Sequence, residues 1–167
     1  MTKRIFTTHP DAKKLIDILP SIKNYQMLAD KHGIKDIFQD NGGKLLQILL
    51  CLGLKLLPGR TGNDAIDEDG NEYEIKTLNS KISTGFSTNH HINESIISKY
   101  RSAKWIFAVF ENIEMKKIYY CEPILLDTFF RKWTDKCFIT ESHINNPKIP
   151  LQNVEKYGHL IWSDQSI

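Results

Sequence analysis

One run of seven residues, Pro58-Gly59-Arg60-Thr61-Gly62-Asn63-Asp64, separates two stretches of chain with different apolar periods. Proline removes an amide donor and glycine loosens the backbone, so neither a helix nor a central strand continues through such a run. Before it the pattern is helical: Leu15, Ile16, Ile18 and Leu19 recur at helix spacing from Asp11, and Pro20 is expected to end that helix. A second helix is predicted from Ser21 to His32, closed by Gly33. After a turn at Phe38-Gln39-Asp40-Asn41-Gly42-Gly43, a third, strongly apolar helix is predicted from Lys44 to about Leu54.

Beyond the break the period changes to that of sheet. Following Asp69-Gly70, Glu72 to Leu78 alternates polar and apolar residues as a half-buried strand does. Lys104–Phe110 and Lys116–Tyr120 read as strands joined in a hairpin across Glu111 to Met115. Asn93 is an expected N-cap for a short helix ending near Tyr100. Pro123 suits the first turn of another helix, from Ile124 to about Lys136, and Asn145-Asn146-Pro147 reads as a polar turn. This order predicts a mixed α/β (α+β) fold, a central mixed sheet flanked by helices, in a single domain over 1–167.

Composition adds limits rather than a function. A length of 167 residues suits one core. The net charge of +2 neither requires nor excludes a polyanionic partner. The apolar run Leu45–Leu57, interrupted by Gln47, Gly53 and Lys55, is too short to cross a bilayer. Lys3 and Arg4 are followed by no apolar stretch, so no secretory signal is expected and cytoplasmic residence follows. Cys51, Cys121 and Cys137 are odd in number and widely spaced, which predicts buried free thiols rather than disulfides or a zinc site. Met1–Thr8 and Ser163–Ile167 are expected to be frayed termini.

The chemistry concentrates in Asp64 and Glu74-Ile75-Lys76. In a strand Glu74 and Lys76 project from one face, and the Asp69-Gly70 turn allows Asp64 to return beside them. Crowded carboxylates resist joint ionisation unless a cation lies between them. Magnesium, a hard ion held by one or two carboxylates with water and phosphate oxygens, suits Asp64 and Glu74, with the Ile75 carbonyl as a third oxygen. That set fits in-line attack of water on a phosphodiester, with Lys76 orienting the water and stabilising the transition state. On its own, an Asp…Glu-x-Lys pattern is also what a solvated strand face looks like.

A second cluster, Gly85-Phe86-Ser87-Thr88-Asn89-His90-His91, carries short hydrogen-bonding side chains just after that strand. A two-stranded ribbon fits the major groove, where Ser, Asn and neutral His donate or accept at base edges. In extended backbone His90 and His91 diverge, which disfavours one shared metal ion.

With these residues in view the chain resembles the PvuII-like type II restriction endonucleases of the PD-(D/E)xK nuclease superfamily. The likeness runs through His9-Pro10-Asp11, Lys31-His32-Gly33-Ile34, Asp36 to Gln47, Leu57-Pro58-Gly59-Arg60 and Gly62-Asn63-Asp64-Ala65. It continues through Glu72-Tyr73-Glu74 with Lys76, Gly85-Phe86-Ser87-Thr88, His90-His91, Lys99-Tyr100-Arg101, Trp105-Ile106-Phe107-Ala108 and Ile144 to Pro150.

The resemblance implies a restriction-endonuclease-like core in a U-shaped homodimer around double-stranded DNA. The helical part, about 10–56, would contribute to the subunit interface, and 57–167 would carry catalysis and recognition. It implies Asp64, Glu74 and Lys76 as catalytic residues, with Mg2+ on Asp64, Glu74 and Ile75. Ser87, His90, His91 and Asn146 would face bases in the major groove, Asp40 the minor groove, and Tyr100 would be an auxiliary group near the active site. The implied target is CAGCTG, cut centrally to blunt ends, with a cognate DNA methyltransferase in the same host but no stable complex with it. Asn89 stands where the family has the first of three histidines, Thr77 where it has serine, and the loop before His143 is one residue shorter. Two other functions fit parts of the pattern: a nicking or repair nuclease, and a sequence-specific DNA-binding protein without catalysis.

Overall fold

The computed structural model describes residues 10–58 and 63–164. The expected fraying at Met1–Thr8, and His9, Gly59, Arg60 and Gly62 of the resemblance, lie outside the described residues. Backbone contacts divide the chain into two compact units, Met1–Gly43 and Lys44–Ile167.

In the first unit a single helix, α1 (Ala12–Lys31), replaces the two expected, because Pro20 sits inside it. The ring deprives the Ile16 carbonyl of its usual donor, but Ile16 is 63% exposed, so water substitutes, and good helix formers on both sides carry the helix through. Gly33 takes a left-handed conformation (φ 80°) after the helix, as its position predicted. Gln26 then pins the following loop to α1: its Nε2 donates to the carbonyls of Ile34 and Lys35 at 3.2 and 3.0 Å, and its Oε1 accepts from the Ile37 amide at 2.9 Å. Asp40 and Asn41 both have positive φ (47° and 60°) and start the next helix, α2 (Gly42–Leu52). Glycine is required at 42, since a Cβ there would lie 2.2 Å from the Asp36 carbonyl oxygen.

The second unit is built on a six-stranded mixed sheet. Its strands are β1 (Lys55–Leu56), β2 (Ala65–Ile66), β3 (Glu72–Asn79), β5 (Lys104–Glu111), β6 (Glu114–Cys121) and β8 (His159–Ser163), adjacent in that order. β3 and β5 are parallel and the other pairs antiparallel. The β5–β6 turn is tighter than the sequence suggests, closing at Asn112 with φ 56°. Six consecutive residues of β5, Trp105–Phe110, are buried, as a strand covered on both faces must be.

One face of this sheet carries Trp105, Phe107 and Val109 and is packed by two helices, α3 (Glu94–Ser102) and α4 (Asp127–Thr140). Asn93 caps α3 through the Ile96 amide at 3.0 Å, as expected. A second, two-stranded sheet pairs β4 (Gly85–Ser87) with β7 (Lys148–Pro150) and buries Phe86 and Ile149 in the same core. A short helix, α5 (Leu151–Tyr157), precedes β8. Fold class therefore agrees with the sequence: a mixed α/β architecture with a central sheet flanked by helices.

Three expectations fail locally. Cys51 is exposed, whereas Cys121 and Cys137 are buried, because Cys51 falls on the outer side of an amphipathic helix whose inner side is Leu46, Ile48 and Leu49. Ser163 is the last residue of β8, paired with Lys117, not a frayed end. Asn145-Asn146-Pro147 runs alongside residues 88–90 rather than reversing direction, since the segment prolongs a strand pairing. No helix of the described residues is long and apolar enough to cross a membrane.

Candidate active site

Strand alternation brings Glu74 and Lys76 out on one face of β3. Their register partners on β5 are Trp105 and Phe107, both fully buried, so the two charges border the apolar core and are not a solvated strand face. Glu74 is 6% exposed, the one charged residue among the described residues that is buried to this degree. Burial of a charge requires a partner, and Lys76 Nζ supplies it at 2.5 Å from Glu74 Oε1.

Asp64 reaches the same place through the β2–β3 hairpin. Its amide donates to the Tyr73 carbonyl at 2.9 Å, and its Oδ2 accepts from the Ile75 amide at 2.7 Å. The hairpin turn is held by Asp67, whose carboxylate accepts from the Asn71 side chain, the Tyr73 hydroxyl and the amides of Asn71 and Asp69 at 2.8–3.0 Å. Those donors, the Asn71 side chain foremost, hold the Asp67 carboxyl down at about 2.

Electrostatics in the cluster follow from burial. Desolvation pushes the Glu74 carboxyl above its ordinary value; Lys76 opposes this and the neighbouring Asp64 charge adds to it. Burial draws the Lys76 ammonium down, but Glu74, Tyr100 and Asp64 outweigh it and leave Lys76 above the usual lysine value. Tyr100, on α3, hydrogen-bonds Glu74, and its ring lies 5.9 Å from Lys76 Nζ. Burial first, then the two carboxylates against the opposing pull of Lys76, raise the Tyr100 hydroxyl to about 12.

Asp64, Glu74, Lys76, Tyr100 and His90 line one cleft of about 670 Å³. Thr88 and Asn89, from the expected base-reading cluster, also line it, and Asn63, Glu72, Ile96, Lys99 and Ser102, which were not singled out from sequence as site residues, complete its wall. Two signals were available for some of them. Glu72 continues the alternation of Glu74 and Lys76, and Ile96 and Lys99 share a helical face with Tyr100 once Asn93 is read as the cap. A larger hollow of about 970 Å³ along α4 contains none of these groups.

The remaining expected DNA-reading residues lie outside the cleft wall. Ser87 is exposed on β4 opposite Lys148. His90 and His91 diverge: His90 faces the cleft, and the His91 ring packs edge-on against His143 with centroids 4.6 Å apart. Asn146 has φ 44°, and its Oδ1 is buried with no hydrogen-bond partner. Asp40 belongs to the first unit.

Among the described residues no three His, Cys, Asp or Glu side chains form a metal cage. What Asp64, Glu74 and Lys76 offer within the cleft is a pair of carboxylates, one of them resisting ionisation, next to a fixed ammonium. Such a donor set suits a hard dication that completes its shell with water and a ligand's oxygens. A comparison with protein-family models finds that residues 10–162 match the family described as Restriction endonuclease PvuII.

Proposed function

The chain belongs to the restriction endonuclease PvuII family and is a site-specific nuclease of double-stranded DNA, and on that premise we propose that it works as a Mg2+-dependent homodimer cutting both strands of CAGCTG at its centre to leave blunt ends. The observation that carries this reading is the meeting of Asp64, Glu74 and Lys76 in one cleft walled by His90.

Asp64 and Glu74, with the Ile75 carbonyl, would hold the ion. When bound, Mg2+ supplies charge neutralisation on the phosphate oxygens and acidifies the attacking water. Burial foremost, and the Asp64 charge in addition, raise the Glu74 carboxyl, and a dication between the two carboxylates would offset both effects. Asp64 is oriented by the Ile75 amide. Lys76, kept protonated and fixed by Glu74, orients the nucleophile and stabilises charge building on the non-bridging oxygens. Tyr100 acts as an auxiliary group by steadying Glu74.

Ser87, His90, His91 and Asn146 read base edges in the major groove, and Asp40 approaches the minor groove. Their short donors and acceptors support this role. A palindrome presents the same half-site twice, so a twofold dimer is the matching symmetry. The helical part, about 10–56, supplies the subunit interface of a U-shaped dimer, and 57–167 supplies catalysis and recognition. Support comes from α1, which exposes Leu15, Ile16 and Leu19 at 56, 63 and 39%, an apolar row that a second copy would cover. A cognate methyltransferase in the same host would protect its DNA.

The test is digestion of a supercoiled plasmid carrying one CAGCTG in Mg2+, followed by sequencing of the ends. Linear product with flush ends at the central step is expected. Nicked circles would indicate a single-strand nuclease, and unchanged DNA a binding protein without catalysis.

A further inference from the structure

The β4–β7 ribbon does not stop at its last ladder pair, Ser87–Lys148. Thr88 Oγ1 donates to the Pro147 carbonyl at 2.5 Å, and the Asn146 amide donates to the Asn89 carbonyl at 3.1 Å. Each step moves one residue along both segments, so the next facing pair is His90 and Asn145. Their side chains meet there, His90 Nδ1 lying 3.3 Å from Asn145 Oδ1. Beyond them Ile92 and Ile144 exchange two backbone bonds, 3.0 and 2.8 Å, one residue out of step. The extra residue is His91, whose amide is tied to Asn89 Oδ1 at 2.9 Å. His90 is thus fixed between two anchored pairs, with Asn145 as its cross-strand neighbour.

We propose that Asn145 is a positioning residue that sets the hydrogen-bonding sense of His90, and so the class of base that His90 selects. An amide oxygen only accepts, so the proton of the neutral imidazole sits on Nδ1 and Nε2 is left with a lone pair. The ring then presents an acceptor to the cleft side. In the major groove its complement is an exocyclic amine, cytosine N4 or adenine N6, whereas guanine O6 and N7 and thymine O4 are themselves acceptors and are disfavoured. Asn145 was not among the site residues read from sequence, and its role comes from the register and from the side-chain contact with His90 that the register permits. The selection by base class rests on the reading of His90 as a base-facing residue.

Nitrogen-15 NMR of the metal-free full-length protein reads the tautomer without DNA. Wild type should show His90 protonated on Nδ1. N145A should lose that preference, and N145D, which keeps an acceptor oxygen in place, should retain it. Binding in Ca2+ is then measured on CAGCTG duplexes and on duplexes lacking single exocyclic amines. Removing the amine that His90 reads should weaken wild type roughly tenfold or more, and should cost H90A and N145A little further. A His90 proton on Nε2, or a tautomer indifferent to N145A, overturns the positioning role. An Nδ1–H tautomer combined with amine deletions that weaken wild type and H90A equally overturns base reading by His90, and with it the selection assigned to Asn145.

Discussion

Lys76 Nζ and Glu74 Oε1 are 2.5 Å apart at the edge of the apolar core, and neither charge has access to bulk water comparable to a surface pair. Both are held in place by chain that does other work: Glu74 by its position opposite Trp105, Lys76 opposite Phe107. Asp64 joins them through a side-chain bond to the one amide that lies between them in sequence, that of Ile75. The cluster is therefore preorganised by strand register rather than by a flexible loop.

Burial of Glu74 makes stability depend on pH in a definite sense. Its folded pKa lies above the unfolded value, so the folded state binds the proton more tightly, and its contribution is fully present below the unfolded pKa and lost as pH rises through the folded one. Glu74→Gln removes this contribution. In metal-free protein the stability difference, wild type minus variant, should grow as pH falls from the raised Glu74 value toward the ordinary glutamate value. Urea unfolding across that range measures it, and a difference independent of pH would contradict the burial argument.

Tyr100→Phe deletes the hydroxyl that bonds Glu74 while keeping the ring against Trp105, whose centroid is 4.7 Å away. Hydrogen bonds to charged groups contribute ~1.5–3 kcal/mol, so single-turnover cleavage should fall roughly tenfold or more. Specific binding in Ca2+ should be unchanged. Cleavage equal to wild type would remove Tyr100 from the site.

The exposed row on α1 provides a test of assembly. Leu15→Glu combined with Ile16→Glu alters positions 56 and 63% exposed, so the fold of the chain itself should lose no more than about 0.5 kcal/mol. Sedimentation should shift from dimer to monomer, and double-strand cleavage should fall with it. A dimer that persists in the variant would place the subunit interface elsewhere.

Much of this was legible in the residues themselves. The period change at Pro58, the Asp69-Gly70 turn and the alternation through Glu72–Leu78 gave the hairpin that carries Asp64 to Glu74. Pro20 misled because a helix tolerates proline where the orphaned carbonyl faces water, a matter of exposure that local sequence does not encode. The strand at His159–Ser163 and the ribbon partner at Lys148–Pro150 escaped because short strands are defined by what they pair with, over sequence separations no local pattern reports. For the same reason the depth of Glu74 was hidden: alternation set its face, but only the parallel register with β5 decided that the face is covered.

The account stands on catalysis by Asp64, Glu74 and Lys76 being separable from recognition by the ribbon. The direct measurement is paired cleavage and binding of a CAGCTG duplex by Glu74→Ala and Lys76→Ala, in Mg2+ for cleavage and in Ca2+ for binding. Single-turnover cleavage should drop by at least about a thousandfold, while affinity for CAGCTG over an unrelated duplex persists. Either variant cutting at a rate near that of wild type would contradict it.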